Sequence, residues 1–503
     1  MDGLERKMPS TIDYSDVLPM SVPAVSRRRK FYPVNGGEFR AEANSEIRIP
    51  IDSTSALLDA AHSYLEFTIR NFDPAATLSL DAGGAAMFFS RVRVEQQGQV
   101  LSDTQEYNRL VASVINPCTE TAGGRLAGSI RDSTQAGQTD AAANNVPYGV
   151  AFNRGDRKAF AAHGNGTKIA VGGAYTFSMP ILTGLFTQDK LIPLPLVDKA
   201  NPLTLVLNLE TEENLGVWAG GAPAIQAIAV TQVSYNAQLV EVGGDVIQQF
   251  SMMRDMMGGQ LAISGQDWEH SAFFLTGGAA GGGGQRVVNL PVRKRSIKSL
   301  FWVANSDNLA NTAGPLAGKY LVYNKSFGGH CNVDSWQLKV GSVTYPPTPI
   351  EGPGNGGLQP SIYSRGECLK ELAKAMGTLS FVNPTGTILN TITYFGNQAT
   401  AAGVIETANG DNGEIIGGAP TTLVAEASDS IYVAPFGIDL ESFQHTAIES
   451  GVDSETMALD TNLLLNINGI AGNIGLEDKT VHSFFCFDRH YYFNSDMSVT
   501  MSD

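Results

Sequence analysis

Phe89-Ser-Arg-Val-Arg-Val-Glu95, closed by a turn at Gln97-Gly98, and Trp336-Gln-Leu-Lys-Val340, closed by Gly341, are the two stretches on which the fold turns. Both alternate apolar and polar residues at period two, the pattern of a strand with one buried face and one wet face. Each is followed by a helix. Gln105 to Ile115 carries Tyr107, Leu110, Val111 and Val114 at three- and four-residue spacing before the stop at Asn116-Pro117, and Glu367 to Met376 follows in the second half. The parallel continues in order. Tyr175 to Ile181 matches Ile431 to Phe436, Leu203 to Leu209 matches Leu459 to Ile467, and Ile225 to Val240 matches Val481 to Phe493. The offsets are all roughly 250 residues, the scale of a duplicated domain rather than of a short solenoid repeat. Eight or so strands per half with Gly/Pro turns describe an all-β chain of two tandem sandwiches, jelly rolls or barrels with short helices and long loops.

Working outward, strand texture begins with Ile47, Ile49 and Ile51 and continues through Tyr64, Leu65, Phe67 and Ile69, so the first helix follows the third or fourth strand. Residues 1–37 differ: Pro9, Pro19, Pro23 and Pro33 surround the basic run Arg27-Arg28-Arg29-Lys30, which reads as a flexible arm. Lys190-Leu-Ile-Pro-Leu-Pro-Leu196 reads as a strand that its prolines restrict to an edge or bulge. Val246, Ile247, Phe250 and Met253 ahead of Gly258-Gly259 predict a linking helix, and the division is then 1–37, 38–257 and 258–503. Thr119 to Gly166, Asn305 to Cys331 and Leu379 to Ser428 are long polar loops, and the run Gly277 to Gly284 leaves the start of the second barrel open.

Composition sets limits. In 503 residues, hydrophobic types make up 43% and charged types 17%, with 54 Gly and 23 Pro, which suits many short strands joined by turns. The net charge of -16 argues against a protein coated in nucleic acid over its whole surface, so any genome contact is local. Cys118, Cys331, Cys368 and Cys486 show no CxxC spacing and read as free thiols. The start MDGLERKMPS has no apolar signal core, and no stretch approaches the ~18 apolar residues of a membrane span. The chain therefore reads as made in the cytosol or nucleus, and the sequons at Asn165 and Asn324 as chance matches.

No pattern of catalytic or cofactor chemistry survives inspection. Gly352-Pro-Gly-Asn-Gly-Gly357 fits GxGxxG but follows Tyr345-Pro-Pro-Thr-Pro and opens no helix, so it reads as a loop. P-loop, HExxH, GxSxG and EF-hand strings are all missing from the sequence. His482, Cys486 and His490 share one face of a strand, yet residues four apart there lie roughly 13 Å apart, too far for one ion. Arg293-Lys-Arg295 with Lys298 could touch nucleic acid, but its alternation with Val292 and Ile297 favours the wet face of a strand. Arg27 to Lys30 stands evenly between a solvated run and a contact with nucleic acid.

His62-Ser-Tyr-Leu-Glu-Phe-Thr-Ile69, Phe89 to Glu95 with Gly98, Tyr107-Asn-Arg-Leu110, Phe177-Ser-Met-Pro-Ile181 with Gly184-Leu185, Lys190 to Leu194 and Pro202 to Leu207 together resemble the first barrel of double jelly-roll major capsid proteins of polinton-like viruses and virophages. Phe436-Gly-Ile-Asp-Leu440 with Ser450-Gly-Val-Asp453 is similar to the closing part of that family. The strength lies in the order, from about residue 38 to 500, rather than in any one string. The resemblance implies two eight-stranded jelly rolls per chain, homotrimeric pseudo-hexameric capsomers, and an icosahedral virion shell around a DNA genome. It also implies penton and minor capsid proteins as partners, no enzymatic activity and no cofactor. The arm with Arg27, Arg28, Arg29 and Lys30 would lie at the inner face, near the genome or a minor protein, and deleting residues 1–30 is expected to spare the trimer and impair the shell. Two alternatives stay open: a jelly-roll protein that binds or acts on carbohydrate, and a minor or spike protein of a virion.

Overall fold

The computed structural model describes residues 24–42, 45–80, 83–115, 168–188, 190–219, 222–275, 285–306, 333–351, 367–377, 435–441, 451–455, 463–469 and 479–503, with short pieces at 138–139, 145–146, 325, 328–329, 404–405, 423–424 and 431–432. Before the linker the strands are β1 (Ala24–Phe31), β2 (Glu38–Phe39), β3 (Glu46–Ile51), β4 (Ala56–Asn71), β5 (Thr77–Leu80), β6 (Phe89–Gln96) and β7 (Gln99–Gln105). They continue with β8 (Gln138–Thr139), β9 (Asn145–Val146), β10 (Lys168–Ile169), β11 (Ala174–Met179), β12 (Leu203–Leu209), β13 (Gly216–Ala219) and β14 (Ile228–Val242). One sheet runs β1-β14-β4-β11, with β2 also on β14, and the other runs β3-β12-β6-β7. Counting β1 and β2 as one position and numbering barrel strands in chain order, the sheets read 1-8-3-6 and 2-7-4-5, the connectivity of a jelly roll.

The second half repeats that order. Its strands are β15 (Gln260–Leu275), β16 (Gln285–Leu290), β17 (Ile297–Ser306), β18 (Gly328–Gly329), β19 (Val333–Val340), β20 (Val343–Glu351) and β21 (Val404–Ile405). After these come β22 (Leu423–Val424), β23 (Ile431–Tyr432), β24 (Phe436–Asp439), β25 (Leu463–Gly469), β26 (Lys479–Asn494) and β27 (Val499–Ser502). The pairings β15-β26-β17-β24 and β16-β25-β19-β20 are again 1-8-3-6 and 2-7-4-5. The chain is therefore all-β, built as two tandem eight-stranded jelly rolls. β10, β5 and β13 form a small extra sheet on the first barrel, whose Trp218 donates from Nε1 to the Glu212 carbonyl at 2.8 Å.

Period-two burial explains the sheets. β3 alternates half-buried and buried residues along its whole length, and Ile47, Ile49 and Ile51 enter the core beside Leu203, Leu205 and Leu207 of β12. Phe67, Phe88, Phe89 and Phe177 centre the first barrel; Trp302 stacks on Phe436 at 4.2 Å and meets Trp336 edge-on at 5.7 Å in the second. Each such side chain contributes roughly 1.5–3 kcal/mol by leaving water.

Three sequence expectations change. Ala24–Phe31 is not part of a flexible arm: it pairs in register with β14 from Ala24↔Val242 to Phe31↔Tyr235, and backbone pairing holds it in the first strand position while its basic side chains stay exposed. With that strand counted, the first helical segment, Tyr107–Arg109 running on as a π-helix through Ile115, follows the fifth strand position rather than the third or fourth; Glu367–Gly377 likewise follows β20. Lys190 to Leu196 forms no strand but one isolated bridge, Leu58↔Ile192, and a 3-10 turn at Leu194–Leu196, since Pro193 and Pro195 have no N–H to give a ladder. The linker helix forms at Gly244–Met256. The run Gly277 to Gly284, the GxGxxG-like loop at 352–357 and most of the three long loops lie outside the described residues.

Candidate assembly interface

Among the described residues, the two barrels meet at a seam that is polar and buried. β7 and the short turn Gly184–Phe186 of the first barrel pack against β15 of the second, and β27 also packs on β7. β7 and β15 are edge strands of their sheets, so the junction joins the fifth strand of one barrel to the first strand of the other.

Asp267, on β15, is fully buried at the centre of this seam. Its Oδ1 accepts from Ser102 Oγ at 2.9 Å, from the Gly184 N–H at 3.3 Å and from the Trp268 N–H at 2.9 Å. Its Oδ2 accepts from Arg489 Nη1 at 2.6 Å. The same Arg489 nitrogen donates to the Leu101 carbonyl of β7 at 3.1 Å, and Nε donates to Asp503 Oδ1 at 2.6 Å. Burial disfavours the guanidinium charge, but the carboxylates of Asp267 and Asp503 outweigh it and hold Arg489 above its ordinary range. Gly184 has no room for a side chain: a Cβ there would meet the Tyr491 hydroxyl and lie 2.8 Å from the Asp267 carboxyl carbon. At the margin, Gln96 donates to the Asn201 carbonyl at 3.1 Å and accepts the Val499 N–H at 3.0 Å.

A second polar patch flanks the first. Lys325 reaches Glu106 at 2.8 Å and Glu210 at 3.2 Å, and Arg109 pairs with Glu106 at 3.2 Å. Burial alone would raise the Glu106 carboxyl, but Arg109 and Lys325 outweigh it and bring it down to about 2. Beside them His270 Nε2 and His482 Nδ1 share one hydrogen bond at 3.1 Å with their rings stacked. Burial lowers His270 to about 4, opposed by Glu106; burial also lowers His482 well below its ordinary value, with Arg109, His270 and Lys325 adding to it.

A ring nitrogen that accepts in this pair cannot also be protonated, so acid should loosen the seam. Unfolded histidine takes up a proton near pH 6.5, folded His270 only near 4 and His482 only well below its ordinary value; stability is therefore full above about 6.5 and falls by up to ~1.4 kcal/mol per pH unit per histidine as the pH drops below that. Glu106 adds a second loss as the pH falls from its ordinary value toward 2. Thermal midpoints recorded between pH 7.5 and 5 should drop with acid, and His482→Gln should flatten the slope; equal slopes in both proteins would rule the pair out as its origin.

The residues singled out in the sequence land elsewhere. Arg27, Arg28, Arg29 and Lys30 lie on β1, all exposed, and each has a partner: Glu241 at 3.3 Å, the Tyr64 hydroxyl at 3.1 Å, Asp52 at 3.6 Å and Glu66 at 2.8 Å. His482 and His490 do not converge with Cys486, since His490 Nδ1 faces Ser264 Oγ at 2.8 Å. Lys298 is not on a wet face: it is buried between Glu441 at 2.8 Å and Asp488 at 3.4 Å, and Lys294 reaches Asp503 at 2.7 Å. Sequence reasoning missed Asp267, Arg489 and Gly184. The available signal was charge inside apolar, aromatic-flanked strand segments, Gln266-Asp-Trp-Glu-His270 and Phe487-Asp-Arg489, the second of them buried on both faces.

No protein-family model matches the chain, and no curated protein matches it in sequence. Solved structures do. VP54 of PBCV-1, as fitted into a reconstruction of the virophage Sputnik, aligns with a TM-score of 0.56 at 9% identity over 97% of this chain and 99% of that one. A chain of the Sputnik virophage structure gives 0.55 at 10% identity over 95% and 88%. The Faustovirus major capsid protein gives 0.50 at 8% identity over 93% and 90%. Both barrels and the seam between them thus fall within one alignment, and the fold of this chain is the double jelly roll found in those viral structures.

Proposed function

We propose that the chain is a major capsid protein that forms homotrimeric, pseudo-hexameric capsomers and tiles an icosahedral shell around a DNA genome. The observation that carries the reading is the junction itself. Within one chain the fifth-strand edge of the first barrel holds the first-strand edge of the second. The complementary edges, β1 of the first barrel and β20 of the second, are both sheet edges, and residues 24–30 of β1 are exposed. In a ring of three chains and six barrels, β20 of one copy would meet β1 of the next, repeating this junction as a heterologous contact. Likeness to viral capsid structures over nearly the whole chain supports the same reading.

On this reading the protein resides in the virion, needs neither catalytic centre nor cofactor, and meets penton and minor capsid proteins at the rims of the ring. Arg27, Arg28, Arg29 and Lys30 remain candidates for the genome or a minor protein. The ion pairs of Arg27, Arg29 and Lys30 are solvent-exposed and worth about 0–1 kcal/mol each, so exchanging a carboxylate for a phosphate costs little. Deleting residues 1–30 would remove most of β1 as well as the arm, so the informative cut is after Pro23.

Light scattering on the chromatographed chain, with negative-stain imaging of the same fractions, tests the proposal. A stable trimer with a six-sided outline, or spontaneous shells, is expected. A compact monomer at capsid-like concentrations would overturn it and turn attention to glycan binding.

A further inference from the structure

Lys298 is the extra residue of a bulge. The pairing of β17 with β26 slips between Ile297↔Phe487 and Ser299↔Cys486, and a residue inserted in this way is re-aimed out of the ladder's alternation. Its side chain is buried against two carboxylates: Nζ lies 2.8 Å from Glu441 Oε1, just past β24, and 3.4 Å from Asp488 Oδ1 on β26. Backbone bonds hold both carboxylates beside the lysine, since the Leu440 N–H donates to the Lys298 carbonyl at 2.8 Å and the Asp488 N–H to the Ser296 carbonyl at 3.1 Å. The second Asp488 oxygen, Oδ2, accepts from Ser296 Oγ at 3.0 Å.

Three charges held out of water are costly, and this group has a way to lose two of them. Condensing the amine with one carboxylate leaves a neutral amide and releases only water. Burial disfavours the Lys298 ammonium, but Glu441 and Asp488 outweigh it and hold the amine above its ordinary range, so it must hand over a proton before it can attack. The shorter contact, to Glu441, is the path for that proton. The carboxyl that the Ser296 hydroxyl polarises, Asp488, is the target. Lys325 and Lys294 also meet two carboxylates each, but there Arg109 pairs with Glu106 and Arg489 with Asp503, and a carboxylate that a guanidinium holds ionised is a poor electrophile.

We propose that Lys298 and Asp488 become joined by an amide bond between Nζ and Cγ, with Glu441 as the proton relay. Lys298 passes a proton to Glu441, the free amine adds to Cγ of Asp488, and Oδ1 departs as water with two of the ammonium protons, delivered through Glu441. Glu441 ends ionised, as it began. Nothing is oxidised or reduced, and the reaction occurs once per chain. The bond staples the third strand position of the second barrel to the eighth across roughly 190 residues, and it restricts the unfolded chain as a disulfide would. The assignment is independent of the capsid reading, since it concerns a single chain.

Mass spectrometry of the purified full-length protein reads the bond directly. The intact denatured mass is expected to lie one water, about 18 Da, below that of the sequence, and trypsin, blocked at Lys298, should release residues 296–319 joined to residues 480–489. Lys298→Arg should return the full mass. Glu441→Gln keeps a hydrogen-bonding side chain of the same size; it should fold with an unchanged circular dichroism spectrum and form the joined peptide about a hundredfold more slowly, the lower end of what a positioned proton carrier contributes. A full-length chain of undiminished mass that trypsin cuts after Lys298 would overturn the proposal, whatever the variants do. Loss of water without the joined peptide, as a cyclised aspartate gives, would overturn it too. Bond formation at an unchanged rate in Glu441→Gln would remove Glu441 as the relay.

Discussion

Asp267→Ala is expected to cost 3–5 kcal/mol and to uncouple the two barrels. The carboxylate is fully buried and is met by Arg489, Ser102 and the Gly184 N–H, so its removal leaves a guanidinium charge inside the protein with Asp503 as its remaining carboxylate neighbour. Breaking a buried pair from one side costs in about that range, more than its net stabilising effect, because the desolvated partner is stranded. The loss should be local to the seam. Calorimetry should show one melting transition dividing into two, and limited proteolysis should open the segment around Gly243–Gly259. Adding Arg489→Met should recover part of the loss by removing the stranded charge, a coupling that two independent sites would not show. A single unshifted transition in Asp267→Ala would mean that the barrels are held by something other than this pair.

Gly184→Ala should be nearly as damaging for the opposite reason. The added methyl group would run into the Tyr491 hydroxyl and lie 2.8 Å from the Asp267 carboxyl carbon. Tyr491 is itself completely buried, so its ring cannot swing aside, and overpacking of this kind costs about 1–3 kcal/mol or more. Tyr491→Phe removes the oxygen that the methyl group meets. The double variant Gly184→Ala with Tyr491→Phe should therefore be more stable than Gly184→Ala alone, measured by urea midpoints. If the second change adds its own loss instead of relieving the first, the contact between Gly184 and Tyr491 does not set the spacing of the barrels.

Much of the architecture is legible from residues whose burial follows period two. Ile47 to Ile51 and Trp336 to Val340 are readable because their alternation is not interrupted, Leu203 to Leu207 because its leucines share one buried face although Val206 is buried too, and the duplicated order of strands and helix leads to two barrels. Ala24–Phe31 was misread because its exposed cations mask a strand whose pairing, not its burial, makes it regular. Lys190 to Leu196 was misread because apolar character alone does not supply N–H groups to a ladder. The seam was illegible for a deeper reason. Asp267 and Arg489 lie 222 residues apart, on the paired strands β15 and β26 of the second barrel, and no local pattern links them; the first barrel completes their hydrogen bonding with Ser102, the Gly184 N–H and the Leu101 carbonyl. Gly184 is one of 54 glycines, and only its neighbours across the seam distinguish it.

The pairing of first strand with last has a consequence on the ribosome. β1 finds its partner only when Val242 has been made, and β15 waits in the same way for β26, an interval of roughly 220 residues in each barrel. At about 5–20 residues per second each barrel spends some 10–45 s with a long sheet edge unsealed. The first barrel can close before the second has half emerged, so a nascent polysome displays finished first barrels bearing open β7 edges, each awaiting the β15 of its own chain. Crowded ribosomes would then favour exchange of second barrels between neighbouring chains, and slower initiation should raise the yield of correctly joined protein.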